Sequence, residues 1–432
     1  MVCEHKNFET DHLFFIFSLP DTSRGFQFNR CLKMNREYNF QSNYFIKKGA
    51  VMSERLNWGL IGGGEGSQIG FAHRIGAELD GKFKFAAGAL DVDPQRSREY
   101  GKRLGLAEDR AYGNWKEMLD AESSRDDRID LVTVATPNET HFEISKAFLD
   151  QGFHVFCEKP LTTRLEDAKT LVQTAEEKQR VNAVNFGYSG YPLVRQMRAA
   201  VQRGELGKVR VVFAEFAGGF FADAADADNP RVRWRFDPEQ AGVSAVTADA
   251  GIHALHMACF VTGQKVQSLS ADFSSSVQGR LLEDDSMVSF RMDGGTVGRL
   301  WTSGLAIGRA HGLRIQVFGE KGGFRWEQEQ PNQLHWTPLG EPTRILERGA
   351  EGLHPEADRA SRITVGHAEG MPLAFANLYR DLGDHIQTLK AGREPDPISR
   401  AYPGFEEGLH TLDFVHAAVR SAKEGSRWVE IG

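Results

Sequence analysis

Three short segments bring together residues that can move a proton or hold a charge. Cys157-Glu158-Lys159-Pro160-Leu161 closes an apolar run. A lysine at the carboxyl end of a parallel strand sits where ligands bind in open α/β sheets. It can donate to a substrate hydroxyl and stay charged beside a developing alkoxide. Asp249-Ala-Gly-Ile-His253 sets a carboxylate and an imidazole at positions i and i+4, on one face if the segment is helical. A carboxylate beside an imidazole orients it and raises its basicity, which suits proton transfer from a hydroxyl. Thr136-Pro137-Asn138-Glu139-Thr140-His141 lies between an apolar run and a helical pattern, a loop at the same sheet edge. Each segment alone also has a plain reading: a solvated lysine, a capping aspartate with a core histidine, a helix-capping turn.

A fourth segment, Ile61-Gly-Gly-Gly-Glu-Gly-Ser-Gln-Ile-Gly-Phe-Ala-His73, resembles a nucleotide loop but departs from G-x-G-x-x-G spacing. Treating Glu65, Gly66 and Ser67 as an insertion restores it, with Gly62, Gly64 and Gly70 in the three glycine positions. Gly62 then permits the tight turn, Gly64 lets backbone approach a pyrophosphate, and Gly70 lets the helix pack closely. The helix amino terminus supplies N–H donors and partial positive charge for phosphate. An acidic residue is expected about 20 residues further on, at the end of the second strand. Asp91 sits there. Its carboxylate can accept from ribose hydroxyls and would repel a 2′-phosphate, so NAD is favoured over NADP.

The elements around these segments alternate. Leu56–Gly62, Phe83–Leu90, Ile129–Thr136 and Phe153–Lys159 read as short apolar strands. Between them, Gln68–Leu79, a stretch opened by Asp93 and Pro94, Glu139–Gln151 and the face Leu165, Ala168, Leu171, Val172 and Ala175 read as helices. Such alternation predicts βαβ units and a parallel sheet. After about Asn185 the texture changes to longer strands, several joined by Asp-Gly-Gly or Lys-Gly-Gly turns, which predicts a mostly antiparallel second domain. Two helices, roughly Pro372–Lys390 and Pro403–Lys423, close the chain.

The chain has 432 residues, 41% hydrophobic and 26% charged, with a formal charge of −7. A mildly acidic balance offers no footprint for nucleic acid or anionic lipid. No apolar run has the length of a membrane span, and Leu13–Leu19 lacks the flanks of a secretory signal. Cys3, Cys31, Cys157 and Cys259 show neither metal spacing nor a disulfide framework, so no metal is expected and a reducing cytoplasm is the simplest setting. Residues 1–51 match neither period and are set aside as a disordered or spurious extension, with Met52 as the expected start.

Together the glycine loop ending Ile69-Gly70-Phe-Ala-His73, Thr136-Pro137-Asn138-x-x-His141, Glu158-Lys159-Pro160, Trp234-Arg235 and Asp249-x-Gly-x-His253 resemble the Gfo/Idh/MocA family over residues 56–432. The resemblance implies a Rossmann domain over 52–185 and, over 186–432, an α+β domain with a large, open, mainly antiparallel sheet whose exposed face forms homodimer or homotetramer contacts. The carboxyl-terminal helices are expected to pack back on the Rossmann domain. It implies hydride transfer between a sugar or cyclitol carbon and nicotinamide. Lys159 would polarise the hydroxyl, His253 would take its proton and Asp249 would orient the site. Gly62, Gly64, Gly66, Ile69, Gly70, Asp91, Thr136, Pro137, Asn138, His141, Glu158, Lys159, Trp234 and Arg235 would hold the cofactor. Tyr188, Tyr191 and His367, with Glu369, are candidates for contact with the substrate. Two alternatives stay open: a lyase or glycosidase that keeps NAD and oxidises only transiently, and a cofactor-sensing regulator without turnover.

Overall fold

The computed structural model describes residues 54–223 and 229–432. The expected extension, residues 1–51, lies outside them. The first half alternates strand and helix as the sequence predicts: β1 (Leu56–Gly62), α1 (Gln68–Leu79), β2 (Phe83–Ala89), α2 (Pro94–Arg103), α3 (Trp115–Ser123), β3 (Leu131–Ala135), α4 (His141–Asp150), β4 (His154–Cys157), α5 (Leu165–Glu177) and β5 (Asn182–Val184). These strands form a parallel sheet in the order β2-β1-β3-β4-β5. Crossovers leave β1 toward both sides, so a crevice opens at the carboxyl ends of β1 and β3. Helix starts follow their capping residues. Ser67 accepts from the Gly70 N–H at 3.0 Å, Asp93 from Arg96, and Asn114 from Lys116 and Glu117.

The second half runs through α6 (Pro192–Gln202), β6 (Val209–Ala217), the short α7 (Pro230–Arg233) and α8 (Pro238–Ala241), and α9 (Ile252–Thr262). It continues with β7 (Val266–Ser274), β8 (Asp285–Met292), β9 (Val297–Ser303), β10 (Leu313–Gly319), β11 (Gly322–Glu327), β12 (Gln333–Pro338) and β13 (Arg344–Glu347), then α10 (Pro355–Ala360), α11 (Met371–Lys390), α12 (Phe405–Lys423) and β14 (Val429–Glu430). Its nine-stranded sheet is ordered β13-β12-β11-β10-β6-β9-β8-β7-β14, and only β6 and β9 pair in parallel. The Asp293-Gly-Gly turn joins β8 to β9, and Lys321-Gly-Gly leads from β10 into β11, as hairpins.

Residues alternate along these strands. Val212, Ala214, Ile315, Val317, Val288 and Leu300 are buried with α6 and α9 in the larger core. Val211, Met287, Phe318 and Ile345 stand 38–53% exposed on strands of the same sheet. Helix α11 returns to the first half. Lys82 pairs with Asp384 at 2.5 Å, Arg362 pairs with Asp80, and Leu378, Tyr379, Leu382 and Ile386 share a core with Trp58, Leu60 and Phe83. Among the described residues no helix is long and apolar enough to cross a membrane.

Candidate active site

The glycine loop closes one wall of a cavity of about 820 Å³ at the carboxyl ends of β1, β2 and β3, lined by Gly62, Gly64, Gly66, Asp91, Arg96, Thr136 and Pro137 among others. Gly62 has φ +77°, and a Cβ there would lie 2.3 Å from the Ala135 carbonyl oxygen. A Cβ at Gly70 would lie 2.1 Å from the Gly63 carbonyl oxygen, so the third glycine lets α1 press onto the loop itself. The additional residues have local tasks. Ser67 caps α1, and Glu65 pairs with Arg103 at 2.6 Å. A shaped cradle of glycine backbone at a helix start fits a dinucleotide pyrophosphate. In the same lining the Asp91 carboxylate bonds Arg96 Nη2 at 2.8 Å and the Asp93 N–H at 2.9 Å. The Asp93 N–H bond, then Arg96, hold the Asp91 carboxyl below the usual range against the effect of burial.

Eight of the expected cofactor residues are not part of this lining: Ile69, Gly70, Asn138, His141, Glu158, Lys159, Trp234 and Arg235. His141 is fully buried, with Nδ1 2.8 Å from the Pro160 carbonyl and Nε2 2.9 Å from the Thr136 carbonyl. Two carbonyls accept from both nitrogens only if both carry hydrogen. Burial opposes that charge, but Cys157 and the two carbonyls prevail and the pKa is raised to about 9. His141 therefore ties the loop after β3 to the loop after β4 from behind the cavity wall.

Just past β4, Lys159 Nζ lies 2.6 Å from Asp249 Oδ1 and 3.0 Å from the Asp249 carbonyl oxygen. This joins the end of β4 to a wide helical turn, Thr247–Gly251, that leads into α9. Wide turns of this kind occur often at functional sites. Asp249 Oδ2 accepts from Arg235 Nε at 3.2 Å, and the Arg235 guanidinium lies 4.5 Å over the Trp234 ring. Trp234 and Arg235 thus belong to the Asp249 end. Burial pushes the Asp249 carboxyl up, but Lys159 and Arg235 outweigh it and hold it well below the usual carboxylate range. With two of three Nζ hydrogens directed at Asp249, Lys159 keeps a donor for a further oxygen.

The expected Asp249–His253 hydrogen bond is not what forms. Both carboxylate oxygens turn to cations, which bind a carboxylate more strongly than a neutral imidazole does. His253 has no hydrogen-bond partner among the described residues, and its Nδ1 is buried. Burial, then the Lys159 charge, hold its pKa well below the ordinary histidine range against the pull of Asp249. Instead of a more basic imidazole, the site holds a neutral one. Its ring meets Tyr188 edge-on at 4.9 Å, with Phe186 at 5.8 Å and Phe216 at 6.0 Å.

Of the substrate candidates, Tyr188 is beside His253 and bonds His311 Nε2 through its hydroxyl at 2.8 Å. Tyr191 is 2% exposed at the start of α6 and packs at 5.3 Å from Trp326 in the large core. His367 sits in an exposed turn and contacts Thr364, while Glu369 is buried against Arg348 at 3.0 Å. Arg348 gathers that turn through the carbonyls of Ile363, Thr364 and His367, so the loop is a structural knot.

Two residues escaped sequence reading. His311 belongs to a loop without a motif. Glu283, in the run Glu283-Asp284-Asp285, looks like a solvated acidic stretch but is 5% exposed. It accepts from Ser244 Oγ at 2.6 Å and from the N–H groups of Ala245 and Thr247 at 3.1 and 3.0 Å, fixing the start of the turn that carries Asp249. Only the burial of an acid could have flagged it.

Comparison with known proteins covers both halves of the chain. Residues 56–186 match the oxidoreductase family with an NAD-binding Rossmann fold, and residues 194–325 match the GFO/IDH/MocA C-terminal domain. An uncharacterized oxidoreductase of Bacillus subtilis is 36% identical over 384 residues, 88% of this chain and 98% of that one. Levoglucosan dehydrogenase of Pseudarthrobacter phenanthrenivorans is 27% identical over 417 residues, again 88% and 98%. The crystal structure of an inositol dehydrogenase homolog from Azotobacter vinelandii complexed with NAD⁺ superposes with a TM-score of 0.82 at 38% identity, covering 88% of this chain and 98% of that one. The same homolog complexed with NADH and myo-inositol gives 0.79 at 37%, with the same coverage. The chain belongs to the Gfo/Idh/MocA family of oxidoreductases, and its first half is that family's NAD-binding Rossmann domain.

Proposed function

We propose that the protein oxidises a ring hydroxyl of a cyclitol, sugar or sugar derivative, passing the hydride to NAD. The observation that carries this reading is the 2.6 Å contact of Lys159 with Asp249, which aims an ammonium whose charge is felt by the neutral imidazole of His253. Lys159 donates its remaining N–H to the substrate oxygen and stabilises the negative charge that grows there. His253, neutral at pH 7, accepts the hydroxyl proton. Asp249 keeps the ammonium charged and pointed, and Arg235 holds Asp249 in turn. Nicotinamide, when bound, is the hydride acceptor. Asp91 favours NAD over NADP by accepting from ribose hydroxyls. The two named relatives support a cyclic polyhydroxylated substrate, since one is complexed with myo-inositol and the other is a levoglucosan dehydrogenase. The apolar residues Val211, Met287 and Phe318 on the open sheet face support a homo-oligomer.

The test is a screen of cyclitols and sugars for NADH absorbance with the purified full chain. Net NADH formation with at least one of them is expected. Product without net NADH would point instead to transient oxidation, and NAD binding with no product from any of them would end the dehydrogenase reading.

A further inference from the structure

A line of buried polar side chains runs from the middle of the Rossmann sheet to the residue beside Lys159. Trp58 Nε1 bonds Thr133 Oγ1 at 2.8 Å, Thr133 Oγ1 meets the Tyr379 hydroxyl at 2.8 Å, and that hydroxyl meets His73 Nδ1 at 2.8 Å. His73 Nε2 meets Glu158 Oε1 at 3.0 Å. Glu158 also receives Asn185 Nδ2 at 2.5 Å on Oε1 and the Lys159 N–H at 3.1 Å on Oε2. Trp58, Thr133, His73 and Tyr379 are at most 1% exposed, and Glu158 is 8% exposed. Water is thus not available to repair a wrong proton arrangement along the line.

The two ends decide where the hydrogens lie. An indole nitrogen only donates, so Thr133 Oγ1 accepts from Trp58. A carboxylate only accepts, and Glu158 faces three donors, so the hydrogen between it and His73 is on Nε2. With a neutral ring, His73 Nδ1 accepts from the Tyr379 hydroxyl, and Tyr379 then accepts from Thr133. Every bond has one hydrogen and every hydrogen has an acceptor. An imidazolium reverses the middle of the line. Tyr379 would donate to Thr133, which would then accept twice and leave its own buried hydrogen without an acceptor. Such unmet groups are rare in folded proteins.

We propose that this one-way line is a positioning device: His73, held as the neutral Nε2–H tautomer by Tyr379, sets the Glu158 carboxylate and through it the backbone at Lys159. The assignment of the tautomer rests on geometry alone, and its link to turnover rests on the reading of Lys159 given above. The residues come from β1, β3, α1, α11 and the end of β4, so the device also couples the returning helix to the reacting end of the sheet.

The test uses side-chain nitrogen NMR of the full chain labelled at histidine, with His73→Gln identifying the His73 signals. A protonated Nε2 and an unprotonated Nδ1 are expected at pH 7. In Tyr379→Phe, loss of the Nδ1 donor should shift that nitrogen. On the substrate found in the screen, kcat should fall by about ten to a hundredfold, the range for small misplacement of a reacting group. The dissociation constant for NADH should stay within about twofold. Glutamine can donate to Glu158 and accept from Tyr379 with one amide, so His73→Gln should keep more of kcat than His73→Leu. Thr133→Val added to Tyr379→Phe should cost little more than Tyr379→Phe alone, because one line is already broken. A ring hydrogen on Nδ1, an unchanged kcat in Tyr379→Phe, or equal activity of the two His73 variants would overturn the inference. A wild-type chain inert toward every polyol would overturn the dehydrogenase reading instead, and the ring signals in that same sample still decide the direction of the line.

Discussion

Asp91→Ser tests the adenosine end of the cavity most directly. Asp91 and Arg96 both line it, and the carboxylate holds the guanidinium at 2.8 Å. Serine keeps a small hydrogen-bonding group and removes the charge. Loss of a charge-assisted bond to a ribose hydroxyl should weaken NADH by about 1.5 kcal/mol. Relief of repulsion toward a 2′-phosphate about 4 Å away should add roughly 1 kcal/mol for NADPH in a water-like dielectric. That dielectric is the suitable one, because the Asp91 and Arg96 side chains are 24% and 66% exposed. The sum, about 2.5 kcal/mol, raises the ratio of NADPH to NADH affinity about 70-fold, at 1.36 kcal/mol per decade. Arg96, released from its partner, would then receive the phosphate. Asp91→Ser/Arg96→Met should bind NADPH more weakly than Asp91→Ser does and keep the NADH loss. Isothermal titration with both reduced cofactors reads each affinity without a substrate. A ratio that moves by less than about threefold would remove Asp91 from the ribose, and equal NADPH affinity in the two variants would remove Arg96 from the argument.

Further outcomes can be checked on the same protein. His253→Ala should lower kcat by about a hundredfold or more, the usual weight of a positioned base, with NADH affinity unchanged; undiminished turnover would take His253 out of the reaction. The raised pKa of His141 means that its stabilising contribution is complete below about pH 6.5 and fades as pH rises through about 9. The gap in melting temperature between wild type and His141→Gln should therefore narrow from pH 7 to pH 10, and a gap independent of pH would contradict a protonated ring. Glu283→Ala strips several buried donors of their acceptor, each costing about 1–3 kcal/mol, so denaturant melts should show a clear loss; wild-type stability would mean that the turn before Asp249 holds itself. Phe318→Glu should shift light scattering toward a smaller species, and an unchanged mass would place the oligomer contact elsewhere.

The Rossmann half was readable because its constraints are local. Its strands are covered on both faces and so appear as unbroken apolar runs, and Asp93 announces its helix one residue ahead, whereas the cap at Ser67 was hidden in what read as an insertion. The second sheet was readable through its longer strand-like runs and its glycine turns, whereas the alternation of burial along Val211, Val212, Phe213 and Ala214 does not show in four apolar residues. Partner choice was not readable in the same way. Asp249 and His253 have a spacing that suggests a pair, yet Lys159 and Arg235 take the carboxylate from 90 and 14 residues away. Tyr191 and Tyr188 look alike in sequence. Only the position of Trp326 assigns one to the core, and only His311 and His253 assign the other to the site. Glu369 looks available until Arg348 is seen beneath it.

The return of α11 has a practical consequence for protein engineering. The nucleotide-binding sheet is not a detachable cassette: the hydroxyl that completes its internal polar line is supplied 306 residues after His73. A chimera cut near residue 185 would strand Thr133 and His73 without Tyr379 and bare the apolar side of α1. A graft that exchanges only β6 through β13, keeping Met371–Lys390 with its own sheet, preserves the seam and is where recombination should begin.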